Sequence, residues 1–322
     1  MLRAIGSAAM ALAARFKNGG LIVNEHTLTR EQTRVHVEAL GRWFDFIHPD
    51  ELPDRLGRRQ RRPFCLLTFD DGKLSNATTT APELERLGVP ACFFVVTGFL
   101  GGQTPIWFDL YSRLQKKLRT LPPGLSPRAV KQLPHRLLAE RIDRACRRHG
   151  ISREVDEDSA AMTWDQVRDL HKRGFGIGAH GVAHSIMTRE TKEDAFASIA
   201  GSIARVTAET GARCASFAFP NGNYTAELAQ HAIACGARMV MTAEPTWADG
   251  SFPLWRLPRV QLFGSQDRGT IELKIAVGAT GRILASGDGT GMIYRKINRL
   301  ARENSRRAGG RRVEGNSGYF GL

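Results

Sequence analysis

The stretch FCLLTFDDGK, residues 64–73, runs an almost wholly apolar hexapeptide straight into two adjacent carboxylates. A short continuous apolar run bounded by turn residues reads as a strand buried on both faces. Asp70 and Asp71 then sit at its C-terminal end, where their charges repel each other. Asp-Gly is a common turn dipeptide, so a plain turn is one account of the pattern. A bound cation is the other.

Outward from that strand, short apolar runs recur: GLIV (20–23), ACFFVV (91–96), GFGIGA (174–179), CASFAF (214–219) and RMVMT (238–242). Helical patterns lie between them at 31–44, 81–87, 129–147, 164–173, 195–210 and 226–235. Strands that alternate with helices predict an α/β fold with a parallel sheet. Six or seven such units suit a (β/α) barrel, whose active-site loops follow the C-terminal ends of its strands.

The 322 residues are 42% hydrophobic and 8% aromatic, enough for a packed core and against global disorder. The formal net charge of +14 favours an anionic neighbour: nucleic acid, phospholipid headgroups or an acidic glycan. The basic residues spread over several helices without a nucleic-acid recognition motif, so nucleic acid ranks low. An anionic membrane surface or acidic glycan touched by the basic segments ranks higher. Five cysteines, an odd number without CxxC spacing, argue against a disulfide framework or a thiolate zinc site. No stretch approaches the roughly 20 apolar residues that span a bilayer.

Residues 1–19 contain Arg3 and a run of small apolar residues that resembles a weak secretory leader. Leu2, Ile5, Leu12 and Phe16 nevertheless fall close to one helical face. We therefore expect an amphipathic helix that stays with the protein, and a cytoplasmic, membrane-peripheral location. Residues 20–265 form the expected catalytic domain, interrupted at 113–153 by a basic, mostly helical insertion with Pro122-Pro123-Gly124 inside it. Residues 266–322 are expected as a helical segment followed by a basic, disordered tail.

A second motif sharpens the first. In IGAHGVAHSIMT (177–188), His180 and His184 are four residues apart and directly follow an apolar run. Neutral imidazoles ligate zinc and related metals. One carboxylate with two imidazoles makes three protein ligands and leaves positions open for water and substrate. The second carboxylate is then free to take a proton from that water. In SFAFPNGNY (216–224), a strand runs into Pro220-Asn221-Gly222, either an ordinary turn or a loop whose N–H groups face an oxyanion. Trp107 and Phe108 are either cleft-lining residues or core anchors. Asp165 follows the N-cap candidate Thr163 and reads as a helix-start residue, while His171 and His231 fall inside helices.

Together these pieces resemble the polysaccharide deacetylases, the fourth carbohydrate esterase family. TFDDG is similar to the family's first motif, and His180-Gly-Val-Ala-His184 to its HxxxH motif. FAFPNG resembles the third motif in a variant with Ala218 where an arginine is usual. NATTTAPELERLGVPACFFVVTG (76–98) and MTWDQVRDLHKRGFGIGAH (162–180) resemble the family's surrounding segments, and the likeness runs over 20–262. It implies a distorted (β/α) barrel of about seven strands and hydrolysis of an N-acetyl group from an amino sugar of a glycan or glycan precursor. It also implies a divalent metal, expected to be zinc, held by Asp71, His180 and His184. Asp70 becomes the general base, and the backbone at Asn221 helps hold the oxyanion.

One piece is missing. The family's late LxH motif has no counterpart, since the corresponding region reads WRLPRVQLF (255–263). Some members carry that histidine on the first strand, and LIVNEHTL (21–28) places His26 there, so His26 is the expected acid for the leaving amine. With Ala218 in the third motif, Arg259 or Arg256 is expected to approach Asp70. A non-catalytic glycan-binding relative, or an amidase such as a deformylase of an amino sugar, remains the alternative.

Overall fold

Each apolar run becomes a strand because its side chains are buried on both sides. The computed structural model describes residues 2–16 and 19–284; the expected tail from 285 onward lies outside the described residues. The strands are β1 (Gly20–Glu25), β2 (Asp45–Phe46), β3 (Phe64–Phe69), β4 (Ala91–Val95), β5 (Gly176–Ala179), β6 (Ser216–Ala218), β7 (Met239–Met241) and β8 (Val260–Gln261). All pairings between them are parallel, in the order β7-β6-β5-β4-β3-β1-β8, with β2 also on β3. The two-residue β2 pairs Phe64 and Cys65 while β4 pairs Leu67 to Phe69, so both fit along one central strand.

The sheet curls until its ends meet. Leu257 bridges Met241 of β7, and three residues later Val260 pairs with Val23 of β1. The seam between last and first strands is thus spanned by 257–261, which makes the expected distorted (β/α) barrel with seven strands in its main path. All six residues of β3 are buried, as a central parallel strand requires.

The helices begin where the sequence offers caps. Thr29 and Gln32 form a capping box on α2 (Arg30–Gly41). Short helices α3 (Leu52–Leu56) and α4 (Ala81–Arg86) follow. The segment that holds the expected insertion, between β4 and β5, opens with α5 (Trp107–Lys117). The helical pattern at 129–147 is two helices, α6 (Pro127–Val130) and α7 (His135–Arg148), because Pro134 lacks the N–H that a continuous helix needs. Tyr111, Leu114, Leu138 and Ile142 give this insertion an apolar cluster of its own. Then come α8 (Trp164–Lys172), α9 (Lys192–Thr210), α10 (Ala226–Ala234) and α11 (Arg268–Leu284). Thr163 and Gln166 form the capping box of α8, and Asp165 pairs with Arg168 in its first turn.

The N-terminal helix α1 (Leu2–Phe16) packs on α11. Met10 is fully buried, whereas Leu12 is 64% exposed. A Cβ on Gly6 would fall 2.7 Å from the Gly269 carbonyl oxygen, so only glycine lets the two backbones come this close there. Ser7 donates to Glu272 at 2.6 Å across the same contact. No helix among the described residues is long and apolar enough to cross a membrane.

Candidate metal centre

The C-terminal ends of β3, β5 and β6 meet at one mouth of the barrel. Among the described residues, three that are not glycine have positive φ: Asp71 at 76°, His184 at 52° and Asn221 at 57°. Each follows one of those three strands. Left-handed backbone costs energy in residues with a Cβ, and such strain collects where a site dictates the geometry.

Asp71 ends up with its carboxylate buried and both oxygens without a hydrogen-bond donor. Around it stand imidazoles. His184 Nε2 lies 3.3 Å from Asp71 Oδ1, and His180 Nε2 lies 3.7 Å from the same atom. One ligand atom from each of the three residues lies within 4.8 Å of the others. The His180 tautomer follows from its neighbour. Nδ1 is 2.8 Å from the Ala218 carbonyl oxygen, which can only accept, so Nδ1 carries the proton and Nε2 presents its lone pair. Burial holds His184 neutral, with its pKa pushed down to about 3, against the pull of Asp71. A buried carboxylate without donors among the described residues, beside a His184 ring held neutral and the Nε2 of His180, is a donor set that suits a divalent cation.

Asp70 has the opposite surroundings. Arg259, fully buried, donates Nη1 to Oδ1 at 2.8 Å and Nη2 to Oδ2 at 2.9 Å. The guanidinium is itself fixed by Thr242, whose carbonyl accepts from Nε at 3.1 Å, and by the Thr68 hydroxyl at 3.1 Å. Burial by itself would raise the Asp70 pKa, but Arg259 and then His180 and His26 outweigh it and hold the carboxyl at about 2. Arg256 is elsewhere: it bonds Glu244 at 2.8 and 2.9 Å.

His26 follows β1 and reaches the rim, with Nε2 4.0 Å from Asp71 Oδ2. Asn221 donates from its amide to Asn223 within its own loop. His231 lies against Phe196 and Cys235, outside the cluster.

Sequence reading missed how the insertion grips this mouth. Trp107 donates its indole N–H to the His184 carbonyl at 3.2 Å, and the Phe108 ring meets the His184 ring edge-on at 4.8 Å. Both aromatics are buried, so they wall the centre and also anchor the insertion. Lys73, just after the Asp pair, forms a buried ion pair with Asp109 of α5. The signal was present in DDGK, but its partner lies 36 residues away on another element.

The family model for polysaccharide deacetylases matches residues 57–240, more than half of the chain. This chain therefore belongs to the polysaccharide deacetylase family, a class of carbohydrate deacetylases. Solved structures share its fold. The Streptococcus pyogenes deacetylase PplD, in complex with acetate, is 13% identical with a TM-score of 0.56, over 80% of this chain and 97% of that one. IcaB from Ammonifex degensii is 17% identical with a TM-score of 0.57, over 82% and 97%. The BpsB deacetylase domain from Bordetella bronchiseptica is 18% identical with a TM-score of 0.52, over 76% and 96%. No curated protein matches the chain.

Proposed function

We propose that this chain removes N-acetyl groups from the amino sugars of a glycan or glycan precursor, with a divalent ion held by Asp71, His180 and His184. The observation that carries this reading is the buried Asp71 carboxylate, without donors and faced by two imidazole nitrogens. When bound, the ion supplies Lewis-acid polarisation of the acetyl carbonyl and of water, and zinc suits two imidazoles with one carboxylate.

The remaining work falls to the chain itself. Asp70 accepts a proton from the hydrolytic water. Each of its oxygens keeps a lone pair beyond its bond to Arg259, and Oδ2 stands 3.8 Å from His180 Nε2, on the ligand side. Arg259 keeps that base ionised and fixes its plane. His26 protonates the leaving amine from the rim, and the Asn221 backbone N–H donates to the oxyanion.

The test is acetate release from a panel of N-acetylated sugars and glycans, with formate release from a formamido sugar measured alongside. We expect zinc-dependent acetate release that a chelator abolishes. Asp70→Asn should lower it about a thousandfold, in the range that a lost general base costs. Undiminished release by Asp70→Asn, or after chelation, removes the reading.

A further inference from the structure

The insertion carries a feature that the metal centre does not use. Residues 120–125 and α7 enclose a cleft of about 470 Å³. One wall is apolar, built from Leu121, Pro122 and Leu125. The other presents Arg141, Arg144 and Arg148, and no Asp or Glu lines the cleft. The three arginines recur at i, i+3 and i+7, which puts them on one helical face. Among the described residues none of them has an ion-pair partner. Other arginines of the same helix do: Arg136 pairs with Glu140, and Arg147 with Asp143.

Gly124 has φ of 78°, and a Cβ there would fall 2.4 Å from Arg141 Nη1, so the loop backbone runs close beside that guanidinium. Three guanidinium groups without counter-charges repel one another, and a concave site concentrates their field. A singly charged carboxylate would leave most of that charge uncompensated, whereas a multiply charged oxyanion matches it and takes forked N–H donors.

From this geometry we infer that the cleft binds a phosphoryl group, with the ligand's apolar neighbour lying on the Leu121–Leu125 wall. The site is separate from the metal centre. None of the residues lining the cleft is among those that gather at the barrel mouth. The inference does not depend on the deacetylase reading.

The experiment measures binding of inorganic pyrophosphate to the full chain in EDTA, which keeps metal out of the barrel mouth. A parallel arm uses vesicles of phosphatidylglycerol, against phosphatidylcholine vesicles. The variants are R141Q/R144Q/R148Q and, as a charge-matched control, R58Q/R59Q/R61Q. We expect saturable pyrophosphate binding that weakens at least tenfold or so in the first variant and not in the control. Binding of pyrophosphate alone identifies a free or glycan-borne phosphate as the ligand; added binding to phosphatidylglycerol identifies a lipid headgroup. Equal losses in both variants, or no binding in either arm, overturn the inference. Thermal unfolding of each variant without ligand checks that it is folded.

Discussion

The two sides of the barrel mouth handle the same chemistry in opposite ways. On the seam side, Asp70 is bonded through both oxygens to Arg259, which is held in turn by Thr68 and Thr242. On the β5 side, the adjacent Asp71 is just as buried and has no hydrogen-bond donor among the described residues. A buried carboxylate is costly unless paired. One side meets that cost with a guanidinium, and the other faces two imidazoles.

Removing Arg259 tests the seam side most severely. Arg259→Met leaves Asp70 buried and unpaired, so we expect a stability loss of about 3–5 kcal/mol in chemical denaturation. Acetate release should fall with it in protein still folded. Unchanged stability would mean that the guanidinium is not what stabilises Asp70.

The sharper comparison puts one substitution on each side. In EDTA, Asp70→Asn should destabilise the chain by about 2 kcal/mol, because it strands a buried guanidinium. Asp71→Asn should cost nothing measurable or stabilise, since it deletes a buried charge with no partner, and asparagine tolerates the left-handed backbone at 71. With zinc present, Asp71→Asn should lose metal-dependent stabilisation that Asp70→Asn retains. Calorimetry of both variants with and without zinc measures this, and equal behaviour would erase the distinction.

The smallest expected effect is in acid. Asp70 titrates at about 2 in the folded chain and near 3.9 when unfolded. Its pairing therefore contributes about 2 kcal/mol above pH ~4, lost as the pH falls through about 2. Denaturation in EDTA between pH 5 and 2, compared with the same series for Asp70→Asn, isolates that contribution; parallel curves would assign the acid sensitivity to other groups.

Much of this arrangement is legible in the chain. The strands at 64–69, 91–95 and 176–179 are apolar runs, and their order with the helices already implies a parallel barrel. The Asp pair and the spaced histidines stand out because each follows such a run. Less visible were β2 and β8, two residues each, whose pairing depends on neighbours rather than on propensity. In α1 the exposure of Leu12 and the close approach at Gly6 depend on α11, at the other end of the described residues, and so could not be read locally.

The sequence alone determined which residue types stand at the ends of the strands, because burial periodicity and motif spacing are local properties. Only the tertiary structure decided that Arg259 rather than Arg256 serves Asp70, that Lys73 meets Asp109, and that Asp71 is left without a donor. Those are long-range pairings set by barrel closure. A carboxylate's surroundings, not its place in the chain, fix whether it is paired with a cationic side chain or faces neutral imidazoles.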